Sequence, residues 1–124
     1  MSPVIGVGID AVEIDRFRDV LQRRPQMAER LFSGAERALA SGRSDPVPTL
    51  AARFAAKEAA MKALSTGIGG VDFADIEVLA NPDGAPRLSI GGRAAERAGA
   101  LGVTNWHVSL SHTSTLATAI VVAD

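Results

Sequence analysis

The stretch from Thr49 to Ser65 constrains this fold more than any other segment, because it predicts a long helix whose apolar side chains require cover. Thr49 has the kind of side chain that caps helix N-termini, and the glycines that follow Thr66 favour termination there. At ~100° per residue, one face of the helix carries an apolar stripe formed by Leu50, Phe54, Met61 and Leu64. We expect this helix to pack on other elements along that stripe.

Charged residues share this helix with the stripe. Lys57 projects from near the middle of the stripe. Glu58 lies at one edge with Lys62 just beyond it, and Arg53 lies at the opposite edge. The chain has thirteen basic residues, and its only two lysines are both in this helix.

The spacing of these charges leaves two interpretations open. In the first, Lys57 snorkels to solvent and Glu58 pairs with Lys62, which is worth only ~0.2–0.5 kcal/mol. In the second, one carboxylate and several cations form a half-buried site for a polyanionic ligand, because a lysine in an apolar stripe is costly unless its head reaches water or an anion.

Asp10 supplies a second carboxylate for such a site. The apolar run Val4–Ile9 predicts a buried strand, and Asp10 marks its end, where a side chain emerges from the core. A strand-end aspartate and a helical glutamate are a natural pair of Mg²⁺ ligands, because this ion takes few protein carboxylates and keeps water or phosphate oxygens. Glu13 is interpreted as a favourable charge near the N-terminus of a helix predicted over Val12–Arg24.

Two glycine-rich segments do not satisfy nucleotide-binding motifs. Gly6-x-Gly8-x-x-Ala11 matches the loose dinucleotide fingerprint. However, Asp10 would place a negative charge in the pyrophosphate cradle, and no strand ending in an acid follows ~20 residues later. Thr66–Gly70 follows a helix, whereas a phosphate-binding loop precedes one. Its glycines are interpreted as helix terminators, with a close backbone approach to a ligand as the alternative.

The remaining elements are short helices and hairpin strands. A short helix is expected over Gln26–Leu31, and Ser33-Gly34-Ala35-Glu36 has the spacing of a capping box opening a third helix that closes at Gly42. Further elements are expected as strands at Ile76–Ala80, Arg87–Ile90, Trp106–Leu110 and Leu116–Val122, a turn at Asn81–Gly84 and a helix within Gly91–Gly102. These helices and five strands, with late hairpins, predict an α+β fold.

The last predicted hairpin carries a polar cluster. Alternation places Val108 and Leu110 on one face of its first strand, and His107, Ser109 and Ser111 on the other. The turn His112–Thr115 is either ordinary turn chemistry or a set of hydrogen-bond donors for a phosphate. Two histidines without cysteine do not suit a zinc site, and no GxSxG segment supports a serine hydrolase.

Composition narrows the class of protein further. The chain has 124 residues, a net charge of −1 and no cysteine. That length suits a single domain, 1–124, and the lack of cysteine excludes disulfide scaffolds, iron–sulfur clusters and thiol nucleophiles. No apolar stretch approaches the ~18 residues of a membrane span, and residues 1–3 lead into strand-like sequence without a secretory leader. We expect a soluble cytoplasmic protein that binds neither membrane nor nucleic acid.

Five sequence blocks together resemble a known family. GVGIDAVEIDRF, FSGAERA, RFAAKEAAMKA, TGIGG and HVSLSHT occur in this order over most of the chain. They strongly resemble holo-acyl-carrier-protein synthase, the small bacterial type of 4'-phosphopantetheinyl transferase. The resemblance implies an α+β fold with helices packed on a mainly antiparallel sheet, and a homotrimer with active sites at subunit interfaces. It also implies Mg²⁺-dependent transfer of 4'-phosphopantetheine from coenzyme A to a serine of apo acyl carrier protein, in support of fatty acid biosynthesis.

The resemblance also implies roles for individual residues. Asp10 and Glu58 match the metal-binding carboxylates, and with Lys62, near the coenzyme A phosphates, they form the expected catalytic set. The expected coenzyme A site comprises Arg53, Lys57, Lys62, Gly67, Ser111, His112 and Thr113, with His112 near the 3'-phosphate. Arg16, with Arg24, is expected to face the carrier protein. The loop Gly42–Thr49 lacks a lysine, and Arg43 is the only candidate cation there.

The resemblance also implies a mechanism in which negative charge develops on the leaving phosphate. The serine hydroxyl attacks the β-phosphorus of coenzyme A, and Mg²⁺ and Lys62 stabilise the charge that grows on the leaving phosphate. Either Glu58 or a metal-bound water takes the serine proton, and the sequence does not choose between them. The arginines Arg16, Arg18, Arg23, Arg24 and Arg30 form either a solvated mixed-charge surface or a dock for an acidic carrier.

Two other functions compete with this interpretation. One is a non-catalytic module that holds an acidic protein or a nucleotide unchanged. The other is a nicotinamide enzyme built on the glycine fingerprint, which the position of Asp10 disfavours.

Overall fold

The computed structural model describes residues 3–66 and 70–124. In chain order the elements are β1 (Gly6–Glu13), α1 (Ile14–Arg23), α2 (Met27–Leu31), α3 (Gly34–Ser41), α4 (Val47–Ala63), a 3₁₀ turn (Phe73–Asp75), β2 (Ile76–Ala80), β3 (Pro86–Ile90), α5 (Gly92–Leu101), β4 (Trp106–His112) and β5 (Leu116–Ala123). None of the helices in these ranges is long and apolar enough to cross a membrane.

The strands pair in antiparallel fashion in two sheets. A three-stranded sheet has the order β1-β5-β4, and β2 pairs with β3. The β2–β3 hairpin turns through Asn81–Gly84, where Gly84 adopts a φ of 90° that L-residues rarely take. The α+β class, the antiparallel sheet and this hairpin confirm the sequence-based predictions.

Helix α4 forms the centre of the fold. It contacts all three strands of the larger sheet and also α1, α3 and β2. Twelve of its 17 residues are buried, most of them alanines. The predicted stripe of Leu50, Phe54, Met61 and Leu64 is buried or half-buried. The helix is also enclosed on nearly every other side, because its small alanines let strands and helices approach from several directions.

The N-terminus of α4 differs from the prediction that Thr49 caps it. The helix begins at Val47, whose backbone N–H donates to Asp45 Oδ1 at 3.1 Å. Pro48 occupies the first turn, where its missing N–H is not needed. The predicted C-terminal glycines Gly67 and Gly69 lie outside the described residues.

Strand β1 is longer than predicted and shifts the position of Asp10. The strand pairs with β5 over Gly6–Glu13, and Asp10 stands opposite Ala119 in its middle. Asp10 is therefore not at the end of a strand, because β5 offers partners well beyond Ile9. Glu13 directly precedes α1, as the favourable-charge interpretation requires.

Four apolar side chains are exposed on the outer face of the three-stranded sheet. β1 turns Val7 and Ile9 outward, and β5 turns Leu116 and Ile120 outward. Ile9 pairs with Ile120 and is 64% exposed. A group of exposed apolar side chains on one sheet face, here called the apolar patch, is typical of an interaction surface, whereas single exposed apolar residues are ordinary.

Candidate active site

The carboxylates of Asp10 and Glu58 line the same cleft. Asp10 comes from the middle of β1 and Glu58 from α4, the two elements that pack most extensively on each other. The cleft has a volume of about 390 Å³ and its lining is Asp10, Ala11, Val12, Glu13, Arg16, Phe17, Val20, Phe54 and Glu58. It therefore joins a carboxylate pair to an apolar wall and to the exposed side of α1.

Lys62 bridges the strand and the helix at this site. Its Nζ donates to Ile9 O at 2.8 Å and to Asp10 Oδ1 at 3.1 Å. The ion pair thus runs to Asp10 on the neighbouring strand and not to Glu58 one turn back on α4. The Lys62 side chain is still 53% exposed, so its ammonium stays accessible to a ligand.

Burial and the charge of Asp10 raise the pKa of Glu58, and Lys62 partly opposes that shift. The two carboxylates and one ammonium carry a net charge of −1. Among the described residues no group of three or more His, Asp or Glu side chains is placed to hold a metal ion. Two carboxylates with open sides do fit Mg²⁺, which completes its shell with water and phosphate oxygens.

Lys57 lies on the apolar face that the sequence predicts, but its ammonium reaches neither solvent nor the cleft of Asp10 and Glu58. Its side chain has 0% exposure, and its Nζ donates to Glu36 Oε1 at 2.8 Å, to Ile76 O at 2.6 Å and to Phe73 O at 3.2 Å. Burial lowers the pKa of Lys57, and the hydrogen bond and charge of Glu36 oppose that shift. These contacts contradict the prediction that Lys57 lines a ligand site, because its donors are already used inside the chain.

Arg53 is nearly buried but incompletely paired. Its exposure is 8%, and its Nε has no hydrogen-bond partner among the described residues. Burial lowers the pKa of Arg53, while the charge of Glu36 raises it. A buried guanidinium with an unused donor is costly unless another group reaches it.

The polar turn lies at the same end of the sheet as the cleft. Ser111 and His112 end β4, and Ile14 N at the start of α1 donates to Thr115 O at 2.9 Å. Ser111, His112 and Thr113 are exposed, and none of the three lines the cleft that holds Asp10 and Glu58. The predicted alternation of β4 is confirmed, with Ser111 on the exposed face.

The arginines of α1 and the adjoining Arg24 have three different surroundings. Arg16 lines the cleft, and Arg24 lines a smaller hollow of about 220 Å³ with Val20 and Arg23. Arg18 instead makes two hydrogen bonds to Asp45, at 2.9 and 2.8 Å, which tie α1 to the loop before α4.

The sequence did not predict the roles of Glu36, of Asp45 or of the apolar wall of the cleft. Glu36 was identified only as half of a capping box, although it also holds Lys57. The capping box places Glu36 at a fixed point in the chain, but nothing in the sequence pairs it with Lys57. Asp45 and the apolar cleft wall of Phe17, Val20 and Phe54 gave no separate signal. Gly67, predicted to contact coenzyme A, lies outside the described residues.

Comparison with known proteins gives one consistent result. The family model of the 4'-phosphopantetheinyl transferase superfamily matches residues 6–121. A holo-[acyl-carrier-protein] synthase of Streptomyces griseus is 52% identical over 121 residues, covering 98% of both chains.

Solved structures agree with the sequence matches. The holo-[acyl-carrier-protein] synthase of Neisseria meningitidis has a TM-score of 0.89 at 31% identity, covering 98% of this chain and 99% of its own. The Helicobacter pylori holo-[acyl-carrier-protein] synthase, solved in complex with coenzyme A, has a TM-score of 0.81 at 32% identity, covering 95% of this chain and 99% of its own.

Proposed function

This chain belongs to the 4'-phosphopantetheinyl transferase superfamily, and we propose that it transfers 4'-phosphopantetheine from coenzyme A to a serine of apo acyl carrier protein. The products are holo acyl carrier protein and adenosine 3',5'-bisphosphate. The observation that carries the proposal is the Asp10 and Glu58 pair with Lys62 at an open cleft. It occurs in a chain that matches holo-acyl-carrier-protein synthases over nearly its whole length.

Asp10 and Glu58 are proposed to hold Mg²⁺, and Lys62 to contact the phosphates beside them. When bound, Mg²⁺ supplies a Lewis acid for the pyrophosphate of coenzyme A. The exposed ammonium of Lys62 is held in place by Asp10, so less conformational entropy is lost when it binds a phosphate oxygen. The serine proton would go either to Glu58, which lines the cleft beside Asp10, or to a water held by the metal.

The bond changes of the proposed transfer are simple. The serine oxygen forms a bond to the β-phosphorus that bears pantetheine, and the bond from that phosphorus to the bridging oxygen breaks. The leaving 5'-phosphate takes the electron pair, so negative charge grows on it. A compact ammonium on a flexible stem, such as Lys62, follows that charge more freely than a planar guanidinium.

The remaining coenzyme A contacts are proposed from the buried cation and the polar turn. Arg53 Nε has no hydrogen-bond partner within residues 3–66 and 70–124, and Ser111, His112 and Thr113 are exposed at the same end of the sheet as the cleft. We place the 3'-phosphate near His112, and we retain Gly67 as a backbone contact. Coenzyme A bound by the Helicobacter pylori relative supports the ligand class.

The carrier protein is proposed to dock on α1. Arg16 is exposed on this helix and Arg24 is exposed directly after it, and the cleft runs from Arg16 to the carboxylates. An acidic carrier bound there would present its serine at the mouth of the cleft. Such docking depends on exposed charges, so its rate and affinity fall as salt is added.

The active form is proposed to be a homotrimer with active sites between subunits. The exposed apolar patch of Val7, Ile9, Leu116 and Ile120 supports this, because burying it removes apolar surface from water. Ser111 lies on the same face of the sheet and would be carried into the interface. The polar turn can then reach ligand bound at the cleft of a neighbouring subunit.

The domain organisation, cellular location and metabolic role of the enzyme are also proposed. We treat 1–124 as one domain, supported by two core clusters that share Val12, Phe73 and Leu110. We place it in the cytoplasm, where coenzyme A and carrier proteins meet, and in support of fatty acid biosynthesis.

The test is mass spectrometry of the carrier. The protein is incubated with apo carrier, coenzyme A and Mg²⁺, and the expected product is a carrier heavier by one phosphopantetheine. A matched reaction without Mg²⁺ and with chelator should give none. A carrier that binds but keeps its mass would support the non-catalytic binding module instead.

A further inference from the structure

Gly6, Gly8 and Asp10 lie on one face of β1. Residues two apart in a strand share a face, and this face points at α4, where Gly8 is buried. The glycines that resemble a dinucleotide fingerprint thus meet a helix flank and not a helix N-terminus. Their function is not accounted for by the proposed activity.

The backbones of β1 and α4 touch at these glycines. A Cβ atom placed on Gly8 would overlap Ala59 O and lie 2.7 Å from Ala59 C. A Cβ on Gly6 would overlap Ala63 O and lie 2.8 Å from Ala63 C. Since the obstacles are main-chain atoms, no side-chain rotation relieves the overlap, and the strand or the helix has to move.

This contact lies directly beside the reactive groups. Gly8 is two residues from Asp10, and the helix residue it touches, Ala59, is next to Glu58. The Lys62 ammonium reaches Ile9 O and Asp10 Oδ1 across the same gap. Moving β1 outward would lengthen both hydrogen bonds and separate the carboxylates.

We propose that Gly8 is a positioning residue that holds β1 against α4, so that Asp10 and Glu58 stand close enough to share one divalent cation. The inference rests on the proposed function, because the binding of a divalent cation by Asp10 and Glu58 is part of that proposal. It predicts that a methyl group at position 8 weakens metal binding more than a methyl group at position 6, although both lower the Tm.

Gly6→Ala is the matched control for Gly8→Ala. Both substitutions introduce the same methyl group against a main-chain carbonyl of α4, at overlaps of similar severity. Gly6 is four residues from Asp10 and meets α4 at its last residue. A purely structural role predicts equal effects on every measurement, whereas positioning predicts a difference at the metal site.

The measurements are thermal unfolding, Mn²⁺ titration followed by electron paramagnetic resonance, and crystal structures of both variants. We expect similar losses of Tm, but Mn²⁺ binding weakened at least about tenfold in Gly8→Ala and close to wild type in Gly6→Ala. We also expect a wider separation of the Asp10 and Glu58 carboxylates in Gly8→Ala alone. Equal Mn²⁺ affinities, or an unchanged separation, would overturn the inference.

A longer side chain provides a rescue test. Asp10→Glu should weaken Mn²⁺ binding when Gly8 is present, because the extra methylene moves the carboxylate away from its position beside Glu58. In Gly8→Ala the same change should restore affinity, because the longer side chain reaches across the gap. A further loss in the double variant contradicts the proposal.

The remaining outcomes are also decisive. If wild type binds no Mn²⁺ while the carboxylate separation changes as expected, the metal assignment fails and the positioning stands. If Gly8→Ala does not fold, it is measured in trimethylamine N-oxide, which favours compact states. Failure to fold there would make Gly8 a residue of the fold alone and overturn the inference.

Discussion

Lys57 Nζ lies 2.8 Å from Glu36 Oε1, and neither side chain is exposed. The pair joins α3 to α4 and is extended by backbone groups: Val78 N donates to Glu36 Oε2 at 2.9 Å, and Lys57 donates to Phe73 O and Ile76 O. The Lys57 ammonium also lies 5.6 Å from the centre of the Phe32 ring. A buried ion pair persists when, as here, its remaining donors and acceptors are also bonded.

Breaking this pair should destabilise the protein strongly. Lys57→Met leaves Glu36 as an uncompensated buried charge, so we expect a loss of about 3–5 kcal/mol in the free energy of unfolding. Urea unfolding measures it. Glu36→Leu combined with Lys57→Met should recover part of the loss, because both charges are then gone. A single Lys57→Met variant as stable as wild type would contradict the role assigned to the pair.

The Arg18–Asp45 pair predicts a pH dependence. The hydrogen bonds and charge of Arg18 hold the pKa of Asp45 below its ordinary value of 3.8. A carboxyl whose folded pKa is lowered adds stability above its unfolded pKa and loses it as pH falls through the folded one. Wild type should therefore have a higher Tm than Arg18→Ala near neutral pH, with the difference shrinking below pH 3.8. A difference that is constant with pH would contradict this assignment.

The surroundings of Lys57 show which features of α4 the sequence predicts and which it does not. The pattern of α4 predicts a helix, and helix periodicity places Lys57 on an apolar face correctly. It cannot tell that Glu36, Phe73 and Ile76, distant in sequence, cover that face. Nor can it tell that alanines make α4 central, because small apolar residues occur on exposed helices as well.

For Asp10, too, the sequence predicts one feature correctly and another wrongly. The sequence predicts that Asp10 and Glu58 belong to one site, and the structure places both in one cleft. The end of β1 was misplaced because strand length depends on the partner strand β5. The contact of Gly8 with α4 depends on the distance between two backbones, which no local pattern encodes.

Reversing the charge of Arg16 should impair the carrier more than the donor. Arg16→Glu leaves the carboxylates in place but repels an acidic partner at the cleft mouth. We expect the KM for carrier to rise at least about tenfold, with a smaller change in the KM for coenzyme A. Arg87→Glu, at an exposed position of β3, is the control. Equal changes in the two KM values would show that α1 is not the docking surface.

A charge on the outer face of the sheet should dissociate the proposed trimer. Ile9→Asp places a carboxylate in the exposed apolar patch, and burying it unpaired is costly. Analytical ultracentrifugation should show monomers, and transfer activity should fall with them. Ser89→Asp, exposed on β3, should leave the assembly intact. If Ile9→Asp assembles like wild type, the interface lies elsewhere.

The central claim is that the carboxylates of Asp10 and Glu58 act together in transfer. Its most direct test is the kcat of Glu58→Gln, a nearly isosteric change, with Tm and oligomeric state measured on the same sample. We predict a loss of at least about a hundredfold with the fold and the assembly retained. A Glu58→Gln enzyme with wild-type kcat would contradict the account.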